Sequence, residues 1–176
     1  MMHEFKEIIQ QAVINQQKGL KNVLASVVYL EGSSYRKPGV RMLISEDLKS
    51  VGAVSGGCVE KEIIHRANTV FKDNQPKIIT YDGRYRLGCE GILYILIEPF
   101  FINDDFLNAN SKREALKIDS YFTKEDEAFG DFGTVVTFEN QQQFTFANSF
   151  HHQQEHKFEV FTQILKPAFK LMIIGG

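Results

Sequence analysis

NVLASVVYLEG, residues 22–32, is rich in β-branched and apolar residues and is closed by Gly32, so it reads as a buried strand. Before it, Phe5, Ile8, Ile9, Ala12 and Val13 fall on one face of a helix that Gly19 ends. After it, SSYRKPG is a polar turn stiffened by Pro38, VRMLIS a second strand, EDLKS a turn and VGAVS a short extended piece. Beyond the glycine pair at 56–57, Val59, Ile63, Ala67, Val70 and Phe71 share a helical face, and KDNQP breaks that helix before Pro76. KIITY reads as a strand and DGRYRLGCEG as a loop. ILYILIEPF, apolar on both faces, reads as a strand from the interior of a sheet.

Past Pro99 the texture changes. A polar stretch is followed by alternating strands marked by Leu116, Ile118 and Phe122, by Val136 and Phe138, by Phe144 and Phe146, and by Phe158, Val160, Thr162 and Ile164. Apolar side chains at every second place predict an antiparallel layer with one face on the core, and these residues are the expected inward set. The fold class is therefore α/β, more strictly α+β. A mixed sheet with two principal helices occupies residues 1–100, and a strand-rich, mostly antiparallel extension packs on it over 101–168. The apolar run at 169–176, KLMIIGG with the residue before it, is the kind of sequence that opens a nucleotide-binding βαβ unit, although the three spaced glycines of that fingerprint are not there.

The composition excludes several classes. A chain of 176 residues with 43% apolar and 24% charged residues matches a globular domain, and its net charge of −2 exerts no overall pull on nucleic acid or acidic lipid. The opening MMHEFKEIIQQAVINQQ has charges through its apolar positions and reads as neither a secretory signal nor a membrane span, which predicts a cytoplasmic protein. With only two cysteines, 31 positions apart, a disulfide framework is not expected and both thiols should be free.

Those cysteines stand in glycine-rich segments. In VSGGCVEKEI, residues 54–63, a helix beginning at Gly57 or Cys58 would present unpaired N–H groups and the positive end of its dipole, with Ser55 as a cap or donor. That arrangement suits an anion and favours the thiolate of Cys58; a tight turn with Cys58 as a small buried apolar group is the plainer alternative. GSSYRKPGVRM, residues 32–42, adds the hydroxyls of Ser33 and Ser34 and the cations Arg36, Lys37 and Arg41. Phosphate takes such donors, and Arg36 or Arg41 is expected to meet the amides of Gly57 and Cys58, though a charged turn is often only a solvated one. A third segment, RLGCEGILYILIEP, places Cys89 in a glycine-rich loop before a buried strand.

Taken in order, GSSYRKPGVRMLI, VGAVSGGCVEKEI and LGCEGILYILIEP resemble the XdhC/CoxI family of accessory proteins that mature molybdenum hydroxylases such as xanthine dehydrogenase. The resemblance spans residues 20–100, loosens toward 166 and returns at LMIIGG, where it implies the start of a truncated Rossmann-like domain. It implies a carrier, not a catalyst, that binds the molybdenum cofactor (molybdopterin), protects it while its sulfur ligand is installed, and delivers it to an apo molybdenum hydroxylase. A cysteine desulfurase partner and a homodimer are further expectations. The matching positions are Ser33, Ser34, Arg36, Pro38 and Gly39 in the first loop, Ser55, Gly56, Gly57, Cys58 and Glu60 in the second, and Gly88, Cys89 and Gly91 in the third. Of these, Ser33, Ser34, Arg36, Ser55, Gly56, Gly57, Cys58, Glu60 and Cys89, together with Arg41, are the expected cofactor-binding set; Glu90 stands where the family commonly has glycine. The rival readings are a thiol-dependent sulfur-transfer or redox enzyme using Cys58, and a non-catalytic protein-interaction domain.

Two other patterns carry less. His152 to His156 spell H-x-x-E-H, but the neighbouring strand pattern leaves no room for the helix a zinc peptidase needs. Cys58 and His65 lie seven apart on one helix face, where a half-buried histidine is the simpler reading, and Asp104 and Asp105 read as the cap of a short helix.

Overall fold

The computed structural model describes residues 2–34, 37–54, 57, 59–84, 91–112, 114–147, 150 and 157–167. Helix α1 (Met2–Gln17) leads into β1 (Asn22–Glu31), β2 (Arg41–Ser45) and β3 (Ser50–Gly52), then α2 (Glu60–Asp73), β4 (Lys77–Asp82) and β5 (Ile92–Pro99). The short α3 (Asp104–Asn110) connects to β6 (Leu116–Phe122), β7 (Gly133–Phe138), β8 (Gln143–Thr145) and β9 (Glu159–Leu165).

The strands form two sheets, a five-stranded one in the order β3-β2-β1-β5-β4 and a four-stranded one in the order β8-β7-β6-β9. The helix-and-strand class is the expected one, but every pairing in the first sheet is antiparallel, so the expected mixed sheet is corrected. The reason is connectivity. A parallel neighbour needs a long crossover, whereas β1 to β2, β2 to β3 and β4 to β5 return by short loops. The helical crossover through α2 joins β3 and β4, the two edge strands, which never pair.

Alternation along β1 separates two cores. Val23, Ala25 and Val27 face α2, where they meet Met42, Ile44, Ile63, Ala67, Val70, Ile95 and Ile97. Leu24 and Val28 face the other way, Leu24 toward α1 and the second sheet with Phe5, Leu43, Ile118, Val136 and Phe146, and Val28 toward Leu96, Phe122 and Phe132. Phe146 is the aromatic hub of that inner layer, with ring centroids 4.7 Å from Phe100 and 6.3 Å from Phe5. The short α3 is capped by Asn103, whose side-chain oxygen accepts from the Phe106 amide, so Asp104 and Asp105 fill the first turn and are not the cap.

Strand β9 reverses an expectation. Its register sets Leu165 opposite Leu116, Gln163 opposite Ile118 and Phe161 opposite Ser120. Leu165 and Gln163 are buried on the inner face, while Val160 and Ile164, expected inward, are exposed. Both phases of this strand carry apolar residues, so period-two counting had no purchase; Gln163 is drawn in because it meets a buried charge.

That charge belongs to a polar layer on the inner face. Arg41 Nη1 donates to the Gly39 carbonyl at 2.9 Å and to Gln163 Oε1 at 2.5 Å. Glu98, fully buried, accepts from the Thr134 amide at 2.9 Å and the Thr134 hydroxyl at 2.5 Å, and the Ser120 hydroxyl lies 3.0 Å behind Thr134. Burial pushes the Glu98 carboxyl up to about 7 against the opposing pull of the Thr134 bonds and the Arg41 charge. Burial likewise lowers Arg41 to about 10, with Glu98 acting in the other direction.

Two outcomes follow. Phe146→Ala should cost about 3–5 kcal/mol in chemical denaturation, because it empties a site walled by other rings. For Glu98, a folded pKa above the ordinary carboxylate value means the native state holds more protons than the unfolded chain between about 4.5 and 7. Stability should therefore fall as pH rises through that window, and Glu98→Gln should flatten the fall in a pH series of denaturation curves.

Candidate functional site

The antiparallel order brings the three glycine-rich segments to one end of the first sheet. Glu31 pairs with Ile92, so the loop leaving β1 and the loop entering β5 adjoin; Ser26 pairs with Arg41 and Met42 with Gly52, so β3 exits at the same end. From that exit the chain passes Gly57 into α2, whose N-terminus therefore points to the same end.

Local packing ties the first and third segments together. Gly83 donates to the Gly91 carbonyl at 2.9 Å. A Cβ on Gly91 would stand 2.6 Å from the Glu31 carbonyl oxygen and 2.8 Å from that of Ser33, so only glycine permits this approach. Tyr94 donates to Glu31 at 3.3 Å just below, and Arg84 is held by Asp82 through bonds of 2.9 and 2.6 Å. Ser33 and Lys37 are exposed and Ser34 is half-buried. Gly57 has φ of +117°, a backbone conformation that favours glycine, and among the described residues nothing lies within 4 Å of where its Cβ would sit.

Helix α2 starts later than expected, at Glu60 and not at Gly57 or Cys58. Val59 takes the N-cap position with φ −90° and ψ −29° and makes no side-chain cap bond. Glu60 and Glu62 in the first turn complement the helix dipole themselves, which reduces the pull that end exerts on an external anion.

Of the expected site residues, Ser33, Ser34, Gly57 and Glu60 belong to this end of the sheet. Arg36, Ser55, Gly56, Cys58, Gly88 and Cys89 lie outside the described residues, as does the H-x-x-E-H pattern and the run at 169–176. His65 is exposed on α2. Arg41 is placed otherwise than expected. Its side chain, 7% exposed, lies over the Phe5 ring at 5.6 Å in the layer under α1, on the face of the sheet opposite α2. It therefore does not meet the α2 amides; as the first residue of β2 it sits in phase with Leu43, and that phase points inward.

Sequence reasoning passed over Glu98, Thr134 and Gln163, which complete the buried polar layer. A glutamate in the otherwise apolar ILYILIEPF was the visible signal. Among the described residues there is no group of three or more His, Cys, Asp or Glu that could hold a metal ion, and no helix is long and apolar enough to cross a membrane.

The chain is 26% identical over 174 residues to a protein of Bacillus subtilis described as a probable xanthine dehydrogenase subunit, covering 88% of this chain and 52% of that protein. A solved structure of a xanthine dehydrogenase from Bacillus halodurans shares the fold, with a TM-score of 0.65 at 23% identity, over 91% of this chain and 53% of that one. This chain thus spans about half the length of the relatives it matches. A profile of the XdhC and CoxI family matches residues 16–82, which takes in the first and second glycine-rich segments and stops before the third. Residues 16–82 thus resemble the XdhC and CoxI family, and the sheet brings the described ends of the three motif segments to one end.

Proposed function

We propose that the loop end of the first sheet binds the molybdenum cofactor and that the protein delivers it to an apo molybdenum hydroxylase such as xanthine dehydrogenase, without turnover of its own. The convergence of the ends of the three motif segments carries the reading: stretches spread over about 60 residues of chain leave and enter their strands at one end of the sheet through antiparallel pairing, with the positive-φ Gly57 at the same end. The xanthine dehydrogenase names of the relatives set the molybdenum context.

The donors fit such a ligand. Ser33, Ser34 and Arg36 would hold a phosphate through hydroxyl and guanidinium bonds, and Ser55, Gly56 and Gly57 would add a hydroxyl and backbone N–H donors. Cys58 and Cys89 offer thiols for a soft metal or sulfur centre, which is the chemistry the cofactor supplies when bound. Glu60 bounds the site on the α2 side. Residues 1–100 form the cofactor-binding unit and 101–168 an extension packed on it. A cytoplasmic location, a cysteine desulfurase that supplies sulfur, and a homodimer belong to the same proposal.

Chain purified from a molybdate-fed host should carry pterin and molybdenum in metal and fluorescence analysis. Arg36→Ala should lower molybdopterin affinity about tenfold at low salt and less at high salt, since a charge-assisted phosphate contact is lost. Cys58→Ser should reduce retained molybdenum while leaving thermal stability near that of the unaltered chain. Equal affinity in Arg36→Ala, Ser34→Ala and the unaltered chain sinks the phosphate assignment.

A further inference from the structure

We infer that Gln163 of the second sheet is a positioning residue for the first motif loop, acting through Arg41 on the C-terminal stem of that loop. Arg41 Nη1 bonds the Gly39 carbonyl and Gln163 Oε1 with the same nitrogen, so one guanidinium joins β9 to the residue at which the loop re-enters the sheet. Gly39 is shaped to this contact. Its φ is +99°, and a Cβ there would stand 2.2 Å from Gln163 Nε2, so the amide group occupies the space a side chain would need. On its other side Gly39 donates to the Val27 carbonyl at 2.8 Å, and Val27 donates to the Val40 carbonyl at 3.0 Å. The stem is therefore gripped between β1 and β9.

Cost is the second argument. Among the described residues Arg41 Nε and Nη2 are buried without a hydrogen-bond partner, and so is the Ser26 hydroxyl opposite it in register. Buried, incompletely satisfied charges destabilise, and an apolar residue at position 41 would pack under α1 more cheaply. What the arginine provides in exchange is a fixed, directional link, 122 residues apart in sequence, from the strand-rich extension to the loop stem. The significance of that loop for cofactor binding rests on the reading proposed above.

The test uses the full chain and three variants. Gln163→Met keeps the volume and removes the acceptor; Gln163→Glu restores an acceptor; Arg41→Met with Gln163→Met removes the link and the buried charge together. Hydrogen exchange at the amides of Gly39 and Val27, read by NMR, should rise about tenfold in Gln163→Met, as for loss of one charge-assisted bond, and stay near the unaltered rate in Gln163→Glu. In the double variant the thermal midpoint should recover toward that of the unaltered chain while the exchange stays raised, an outcome a merely structural role does not give. Unchanged exchange in Gln163→Met, or equal increases in Gln163→Met and Gln163→Glu, overturns the tether. Raised exchange with undiminished uptake of purified molybdopterin overturns its role in the site. Failure of the unaltered chain to take up molybdopterin removes the cofactor reading, and the exchange rates still decide the tether.

Discussion

Strand β1 has no face for solvent. From Asn22 to Val28 every residue is buried, because α2 covers one side of the first sheet and α1 with the second sheet covers the other. A strand at the middle of a five-stranded sheet, walled on both faces, is apolar in both phases, and a polar group there is costly unless it finds a partner inside. Asn22 satisfies that demand by donating to the Ala12 carbonyl at 3.0 Å and accepting from Asn15 at 2.8 Å, which locks the end of α1 to the start of the strand. The other elements are arranged around this double burial. The helices need only one apolar stripe each, and the second sheet adds a smaller cluster on its outer face, where Tyr121 and Val135 meet Ala147 and Phe150.

The inner layer adds a polar seam to that apolar wall. Glu98 and Arg41 come from the first sheet, Thr134 and Gln163 from the second, and their bonds cross the gap between the sheets. Apolar packing between two sheets constrains sliding through shape but carries no directional bond. A carboxylate that accepts both from the Thr134 amide and from its hydroxyl adds two, and a shift of about an ångström loses both bonds. The seam thus ties the relative position of the two sheets to specific bonds, while buried ionic groups by themselves add little net stability.

Much of this was legible in the chain. The helices, the strands of the first sheet and the loops carrying the glycines follow from period, β-branching and turn residues, all local signals. Three features were not. Antiparallel pairing throughout the first sheet depends on which strands meet, and the apolar run of β5 suits a parallel interior strand equally well. The phase of β9 depends on what Gln163 finds across the gap; Val160 and Ile164 are as apolar as the residues that point inward. Arg41 looked like one cation among several in a basic turn, yet the two-residue repeat of β2 places it with Leu43 beneath α1. In each case the deciding contact is distant in sequence, so no local window holds it. The glycine-rich segments stand out as candidates because their glycines cluster locally, whereas the meeting of their strand ends at one end of the sheet depends on the topology.

The electrostatics of that end bear on how it would select a ligand. Glu60 and Glu62 occupy the first turn of α2, Glu31 and Asp82 end their strands nearby, and Arg84 is committed to Asp82. A helix dipole worth about 0.3–1 kcal/mol to an anion is largely matched by its own acidic first turn. On the proposed reading, attraction for phosphate would therefore fall to the first loop, to Arg36 and Lys37 and the hydroxyls beside them, and a bare inorganic anion would gain little beyond those contacts. A ligand with a sulfur-bearing body would gain from the two thiols as well, so discrimination between a pterin and free phosphate would rest on Cys58 and Cys89, with the basic loop as the anchor common to both.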